Sequence, residues 1–339
     1  MVHVKYEDLQ ASEFMGQREM DKPMSSQLRW QSVAKGLGTR VPILDRLANS
    51  SAGSAVGPRY FYSVWLRHLT SVAALRPGLS FDVVAELGPG DALGVGICAL
   101  LSGARRYIGL DRVAFGLRAD NLQMLDELLL LFHRREPIPN DDEFPGVYPK
   151  IPDYGFPSQL LSDERLAASL SPARIAELRR ALLGEMRFTD DSLLSYAAPW
   201  DAGNHLGSGT VDFLVSQAVM EHVDDVEGAY SAMRRWLKPL GLMSHRIDYT
   251  CHGITHDWYG HWTVSPSMWS IVRGKRAYLI NRLPHSAHIA ALNHAGFDVL
   301  SCAPTLSKVP APTGELRIIH EAGDLSIKGA FLVALPEQK

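Results

Sequence analysis

The sequence predicts an α/β fold built on a doubly wound, Rossmann-like sheet. Short continuous apolar runs are typical of strands buried on both faces, and helical segments alternate with these runs. The first run, "FDVVAEL", leads into a glycine-rich turn, so that residues 83–94 are "VVAELGPGDALG". The helical "ALGVGICALLSGA" and a second run, "RRYIGLD", follow. This order of strand, turn, helix and strand is typical of a parallel sheet.

The later part of the chain continues the alternation. The stretch "EHVDDVEGAYSAMRRWLKPLG" is predicted to be an amphipathic helix, with Asp224 and Glu227 in capping-box positions and Leu237 on the apolar face. A further helix is predicted at "SAHIAALNHAGF", and the last two strands resemble a hairpin-like pair. We therefore predict a seven-stranded sheet, whose later strands lie in "SLLSYAAP", "TVDFLVSQAV", "GLMSHRIDYT", "DVLSCAP" and "GAFLVAL".

Two segments depart from this pattern. Residues 1–80 are predicted to form an N-terminal helical segment, with a polar and loosely ordered start up to about residue 25, before a sheet domain at 81–339. Residues 113–187 form an insertion after the second strand, with six prolines in the 22 residues 136–157 and a well-marked helix in "SPARIAELRRALLG". We interpret this insertion as a lid on the substrate side, and a structural pad over the sheet edge is the alternative.

Composition excludes several classes of protein. The chain of 339 residues is 46% hydrophobic and 21% charged, as in folded globular proteins, and its net charge of -3 gives no basic field for nucleic acid. The three cysteines are far apart, and the N-terminus lacks the apolar core of a secretory signal. We expect a cytoplasmic protein without a membrane span or a nucleic-acid partner, and a homodimer is a further expectation.

The glycine turn indicates a cofactor that contains adenosine. Gly88, Gly90 and Gly94 are spaced G-x-G-x-x-x-G, whereas the dinucleotide fingerprint has its third glycine one residue earlier, where this chain has Leu93. Asp111 ends the second strand, in a position to accept hydrogen bonds from both hydroxyls of a ribose. A ribose-binding acid with this glycine spacing favours a nucleoside cofactor other than a nicotinamide dinucleotide.

Two separated motifs resemble a known family. "VVAELGPGDALG" followed by "YIGLD" is similar to motif I and the following acid of the class I S-adenosylmethionine-dependent methyltransferases. "VDFLVSQAVMEHVDDVEGAYSAMRRWLKPLG" resembles the fourth strand and next helix of their methyltransferase-11-like group. "YSVWLRHL", "HRID" and "INRLPHS" also resemble bacterial methyltransferases of polysaccharide and glycan clusters.

The resemblance implies S-adenosyl-L-methionine as cofactor and S-adenosyl-L-homocysteine as product. The glycines would let the backbone approach the cofactor, Glu86 would attract its cationic tail, and Gln217 would lie near the tail and methyl end. The adenine contact, expected after the third strand at "YAAPWDAG", stays open. The predicted cofactor-binding residues are Glu86, Gly88, Pro89, Gly90, Asp111, Arg112, Gln217 and Ala218.

Methyl transfer to an alcohol needs a base or a metal ion to remove the hydroxyl proton, whereas an amine needs only to be neutral. Asp248 and His252 follow the fifth strand, and His222 follows the fourth, so these three are the predicted catalytic residues. For His222 the alternative is a hydrogen-bonded histidine of the cofactor loop, and packing is the favoured role of the neighbouring His245. No HExxH or similar ligand spacing occurs, so no metal site is expected.

The segment after the fifth strand is rich in aromatic and basic residues. Flat aromatic faces suit sugar rings, and basic groups suit anionic sugars or phosphates, although the same residues could instead pack this segment onto the core. The predicted substrate-binding residues are Trp258, Tyr259, Trp262 and Arg282.

The sequence therefore predicts an S-adenosylmethionine-dependent methyltransferase that O-methylates a saccharide or a glycan-linked acceptor, with a His/Asp base. The alternatives are an N- or O-methyltransferase of a small natural product and a non-catalytic binding protein that keeps the fold. A nicotinamide oxidoreductase is disfavoured by the glycine spacing.

Overall fold

The computed structural model describes residues 28–39, 57–117, 119–186, 189, 192–200, 206–276, 278–307, 316 and 321–338. The predicted loosely ordered start lies outside the described residues. Within them, seven strands form one sheet in the order β3-β2-β1-β4-β5-β7-β6. The strands are β1 Val83–Leu87, β2 Arg106–Leu110, β3 Leu194–Ala197, β4 Val211–Gln217, β5 Leu237–Asp248, β6 Phe297–Leu306 and β7 Ile327–Pro336.

Nine α-helices surround the sheet in the part of the chain that is described. They are α1 Trp30–Gly38, α2 Pro58–Leu75, α3 Gly94–Leu101, α4 Asn121–Arg134, α5 Asp163–Ser169, α6 Pro172–Leu183, α7 Val226–Trp236, α8 Pro266–Arg273 and α9 His285–His294.

The direction of the strands confirms the predicted doubly wound, Rossmann-like fold. Strands β1 to β5 pair with one another in parallel. Strand β7 runs antiparallel to both β5 and β6, and β6 and β7 are the predicted late pair. Glu86 of β1 lies in register with Gly109 of β2 and Val215 of β4. The carboxyl ends of the parallel strands consequently share one edge of the sheet, where α/β sheets bind ligands.

Helix α2 belongs to the core of the sheet. Trp65 and Leu66 are fully buried in a cluster that also contains Val84 of β1 and Phe213 of β4. The indole nitrogen of Trp65 donates a hydrogen bond of 2.8 Å to the Ser102 hydroxyl after α3. Residues before position 80 therefore supply part of the same hydrophobic core as the strands.

The insertion after β2 packs against α2 and α3. Leu125 and Phe132 of α4 are buried in the core cluster of these helices. Arg67 of α2, which is fully buried, donates hydrogen bonds of 2.7 Å to the carbonyl oxygens of both Pro139 and Val147. The proline-rich stretch is thereby attached to α2, and its role as a lid stays a prediction.

Helix α1 packs on the segment that follows β5. A Cβ atom on Gly36 would lie 2.2 Å from the carbonyl oxygen of Ile271, so only glycine permits this approach of α1 to α8. Val33, Trp269 and Val272 form a small buried cluster between the two helices. None of the described helices is both long and apolar enough to cross a membrane.

Candidate functional site

The glycine turn lies at the carboxyl end of β1 and needs glycine at two positions. Gly88 and Gly90 have φ angles of 71° and 73°, in the left-handed region that side chains disfavour. A Cβ atom on Gly88 would lie 2.4 Å from a methyl carbon of Val219, whereas a Cβ on Gly90 would meet nothing within 4 Å. Between them Pro89 is buried. The turn is thus packed against the residues after β4 on one side and open at Gly90.

Asp111 directly follows β2 and lies beside this turn. Its carboxylate accepts hydrogen bonds from the backbone N–H groups of Gly90, at 3.1 Å, and Arg112, at 2.7 Å. Burial raises the pKa of this carboxyl, although those two hydrogen bonds oppose the shift. The Arg112 side chain itself is exposed. The two predicted features, the turn and its acid, are therefore in contact.

Glu86 is buried at the end of β1. The hydroxyl of Tyr107, one strand away, donates a hydrogen bond of 2.5 Å to its carboxylate. Burial raises the pKa of Glu86 to about 8, a shift that the Tyr107 hydrogen bond reduces and the nearby Asp111 charge increases. Glu86 is consequently mostly protonated at neutral pH, and a cationic group beside it would restore its charge.

Gln217 ends β4 and is held by a residue that the sequence analysis did not select. Nε2 of His68, on α2, lies 3.0 Å from Oε1 of Gln217, and Nδ1 of His68 lies 2.7 Å from the Ser244 hydroxyl. Burial lowers the pKa of His68 to about 4, so the imidazole is neutral. The next residue, Ala218, is exposed and has a φ of 55°, where the chain turns away from the sheet. The sequence signal for His68 was its position as a polar residue within the largely apolar "YSVWLRHL".

A second group of polar side chains follows β4 and β5. Nε2 of His252 lies 3.6 Å from Oδ2 of Asp248 and 4.0 Å from Oε1 of Glu221. The rings of His222 and His252 meet edge to face with their centroids 5.1 Å apart. The structure therefore brings the three predicted catalytic residues together and adds Glu221.

The charges of this group are tuned by burial and by each other. Burial disfavours protonated His252, but its contact with Asp248 and the charge of Glu221 outweigh this and raise its pKa. Burial also disfavours ionised Asp248, yet its contacts with His252 and the backbone N–H of Thr250 lower its pKa to about 2. Burial, assisted by the His252 charge, lowers the pKa of His222 to about 4. A protonated His252 beside an ionised Asp248 is thus favoured over a protonated His222.

Glu221, like His68, is a site residue that sequence reasoning missed. It is 2% exposed, and neither carboxylate oxygen has a hydrogen-bond partner among the described residues. Burial raises its pKa to about 8. The short 3-10 helix that carries it, Met220–His222, is held by Asn281, whose side-chain NH₂ donates to the carbonyl oxygens of Met220 and Val223. The only signal in the sequence was the acid of "MEHV", between a buried methionine and the selected histidine.

The predicted substrate-binding residues pack mostly within their own segment. Trp262 is fully buried and donates a hydrogen bond of 3.0 Å to the carbonyl oxygen of Arg282. Arg282 is buried, donates to the carbonyl oxygens of His261 and Val264, and lies over the Trp269 ring. Tyr259 is buried and Trp258 half-buried. These contacts hold the segment together, and binding of an acceptor by these residues stays a prediction.

The comparisons with known proteins agree with this fold. The model of the Methyltransferase domain family matches residues 176–244, less than half of the chain, from within α6 into β5. A search of curated proteins found no significant match.

Many solved structures match this chain at low sequence identity, and those described below have TM-scores below 0.5. An S-adenosylmethionine-dependent methyltransferase from Mesorhizobium loti is 14% identical, with 79% of this chain and 97% of that chain covered and a TM-score of 0.37. One from Clostridium acetobutylicum is 10% identical, with coverages of 88% and 98% and a TM-score of 0.38. A Haemonchus contortus phosphoethanolamine N-methyltransferase is 13% identical, with coverages of 81% and 53% and a TM-score of 0.40. Similarity at this level does not extend to substrates.

The matched residues include β4, which ends at Gln217, and the 3-10 helix that carries Glu221. The glycine turn follows β1, the neighbour of β4, and Asp111 follows β2, the next strand in the sheet. The strand order, this edge of the sheet and the matched domain model together support an enzyme that transfers a methyl group from S-adenosylmethionine.

Proposed function

We propose that this enzyme methylates a hydroxyl group of a saccharide or glycan-linked acceptor, with the cofactor bound at the glycine turn. One observation carries the proposal: the group Asp248, His252 and Glu221 lies at the ends of β4 and β5, beside the strand ends that carry the glycine turn. A site that methylates a neutral amine does not need titratable groups at this position, whereas a hydroxyl acceptor must lose a proton.

The residues around the turn fit the cofactor. Glu86 suits the cationic amino-acid tail, Asp111 suits the two ribose hydroxyls, and the open side of Gly90 leaves room for close approach to the backbone. Bound there, S-adenosylmethionine would supply a methyl group carried by a cationic sulfur. The leaving group would be S-adenosylhomocysteine, in which the sulfur is neutral.

The chain's own residues then have two tasks. They align the acceptor oxygen with the methyl carbon, because the displacement is in line, and they provide for removal of the hydroxyl proton. A lone pair of the oxygen forms the new C–O bond, while the S–C bonding pair stays on sulfur. In this proposal His252 and Asp248, 3.6 Å apart, assist the loss of the proton. The half-buried Trp258, which packs edge to face on the buried Tyr259, is proposed to contact a sugar ring.

Formation of S-adenosylhomocysteine from S-adenosylmethionine, in the presence of a panel of sugars, nucleotide sugars and small amines, tests this proposal. We expect turnover with hydroxyl acceptors. We also expect His252→Ala to lower turnover at least tenfold, with unchanged affinity for S-adenosylhomocysteine. Turnover only with amines would contradict O-methylation, and normal turnover by His252→Ala would remove this residue from the reaction.

A further inference from the structure

Glu221 and its neighbours His222 and His252 bring several polar atoms close together, and some of these atoms have no hydrogen-bond partner among the described residues. A carboxylate oxygen of Glu221 and one imidazole nitrogen each of His222 and His252 lie within 4.8 Å of one another. Both Glu221 oxygens and Nδ1 of His222 are buried and have no hydrogen-bond partner among the described residues. Burying polar atoms without hydrogen-bond partners lowers the stability of the folded protein, and a ligand bound to these atoms would remove that cost.

The neighbouring side chains of Arg246 and His252 do not form hydrogen bonds that would offset the burial of the Glu221 carboxylate. Arg246 of β5, whose charge acts on Glu221, donates from Nη1 to the Ile247 carbonyl oxygen and lies over the Tyr148 ring, 4.5 Å from its centroid. His252 comes only to 4.0 Å of the Glu221 carboxylate, beyond hydrogen-bond distance. The site therefore combines one buried carboxylate and two imidazoles that converge without bonding to one another.

We propose that Glu221, His222 and His252 bind a divalent transition-metal ion. Two imidazole nitrogens and one carboxylate oxygen suit borderline ions such as Zn²⁺, Fe²⁺ or Co²⁺ better than Mg²⁺ or Ca²⁺. Metal–ligand bonds of about 2.1 Å place neighbouring ligand atoms roughly 3–3.5 Å apart, so the three ligands close by about an ångström around the ion. His252, the most exposed of the three, lies in the loop after β5 and is the ligand that moves. Asp248, 3.6 Å from Nε2 of His252, is placed to accept a hydrogen bond from a water or hydroxyl on the ion.

The ion's role in catalysis rests on the proposed function, but its binding does not. A hydroxyl oxygen bound to a divalent ion loses its proton more readily, and the proton passes to solvent before the C–O bond forms. His252 then acts as a ligand rather than as the base. No HExxH or similar ligand spacing indicated a metal site in the sequence, and Glu221, the buried ligand, was not among the candidate residues.

Calorimetric titration of the chelator-treated protein with Co²⁺, with visible absorption as a second readout, tests the site. We expect one ion per chain with micromolar or tighter affinity, and Mg²⁺ at least 100-fold weaker. Glu221→Gln and His252→Gln should each weaken Co²⁺ binding at least tenfold. His133→Gln, which removes an exposed histidine on α4, should bind Co²⁺ as the wild type does.

Glu221→Gln is nearly isosteric, so it should fold. Should it fail to fold, His252→Gln in the partly exposed loop decides. No saturable Co²⁺ binding by the wild type, or equal binding by the ligand variants, would overturn the proposal.

Titration of the same samples with S-adenosylhomocysteine separates the two proposals. Cofactor binding without Co²⁺ binding rejects the metal site alone, and Co²⁺ binding without cofactor binding rejects the proposed function while the metal site stands.

Discussion

At the residue scale, folding favours the protonated form of Glu86, whereas the proposed contact with the cofactor favours the ionised form. The folded protein keeps Glu86 protonated up to about pH 8, whereas its ordinary pKa is 4.5. Unfolding therefore releases a proton between about pH 5 and 8, and the free energy of unfolding falls as pH rises through this window, by a few kcal/mol at most. Binding of a cation beside Glu86 needs the ionised form, which burial disfavours.

We predict that Glu86→Gln stabilises the cofactor-free protein at pH 8.5 and has little effect at pH 5, because the amide has no proton to lose. The same change should weaken S-adenosylhomocysteine binding about 10–100-fold through loss of a charged partner. Denaturant unfolding at the two pH values and calorimetry measure these effects. An equal change in stability at both pH values would show that the buried carboxyl is not the cause.

The glycine turn offers a matched pair of substitutions. Gly90 and Gly78 have φ angles of 73° and 78°, and a Cβ on either would meet nothing within 4 Å. Each glycine-to-alanine change should cost about 1–2 kcal/mol of stability because of the left-handed backbone. Only Gly90→Ala should also lower affinity for S-adenosylhomocysteine, because its methyl group would project into the proposed cofactor space. If calorimetry gives both variants the wild-type affinity, the cofactor does not lie against Gly90.

At the element scale, strands were the easiest features to predict. The runs of β1, β2, β4 and β5 are buried on both faces, so their local composition reports their environment directly. Helix ends were harder. Asp225, not the predicted Asp224, caps α7, and Leu237 leaves the helix to pair with Val211 as the start of β5. This pairing between separate elements overrides the local helical pattern.

Contacts over long sequence separations could not be predicted from local pattern. Arg67 gave no signal in "WLRHL" that it would be fully buried, and its carbonyl partners lie more than 70 residues away. Glu221 was missed for the same reason, since its burial depends on the elements packed around it.

The attachment of the insertion to α2 can be tested at Arg67. Arg67→Met keeps the aliphatic length but removes the guanidinium donor from the Val147 carbonyl oxygen, and it leaves the Pro139 carbonyl oxygen with the Ser63 hydroxyl as its side-chain donor. We expect a loss of about 3–5 kcal/mol in unfolding free energy and faster proteolysis within residues 136–151. Arg59→Met, which removes an exposed pair with Glu143, should cost less than about 1 kcal/mol. Equal losses in the two variants would contradict a special role for the buried guanidinium.

At the scale of the whole molecule, the strand order explains why residues far apart in sequence form one site. The order places β1 between β2 and β4, with β5 next to β4, so Glu86, Asp111, Gln217 and Asp248 end neighbouring parallel strands. The alternation of elements and the glycine spacing were sufficient to predict this edge. The predicted acceptor site rests on the segment after β5, which has little periodicity and gave no comparable signal.

The central claim is that this edge binds S-adenosylmethionine, and calorimetric titration with S-adenosylhomocysteine, with NADH as control, tests it most directly. We predict one site of micromolar affinity for S-adenosylhomocysteine and no binding of NADH. Binding of NADH alone, or of neither compound, would contradict the claim.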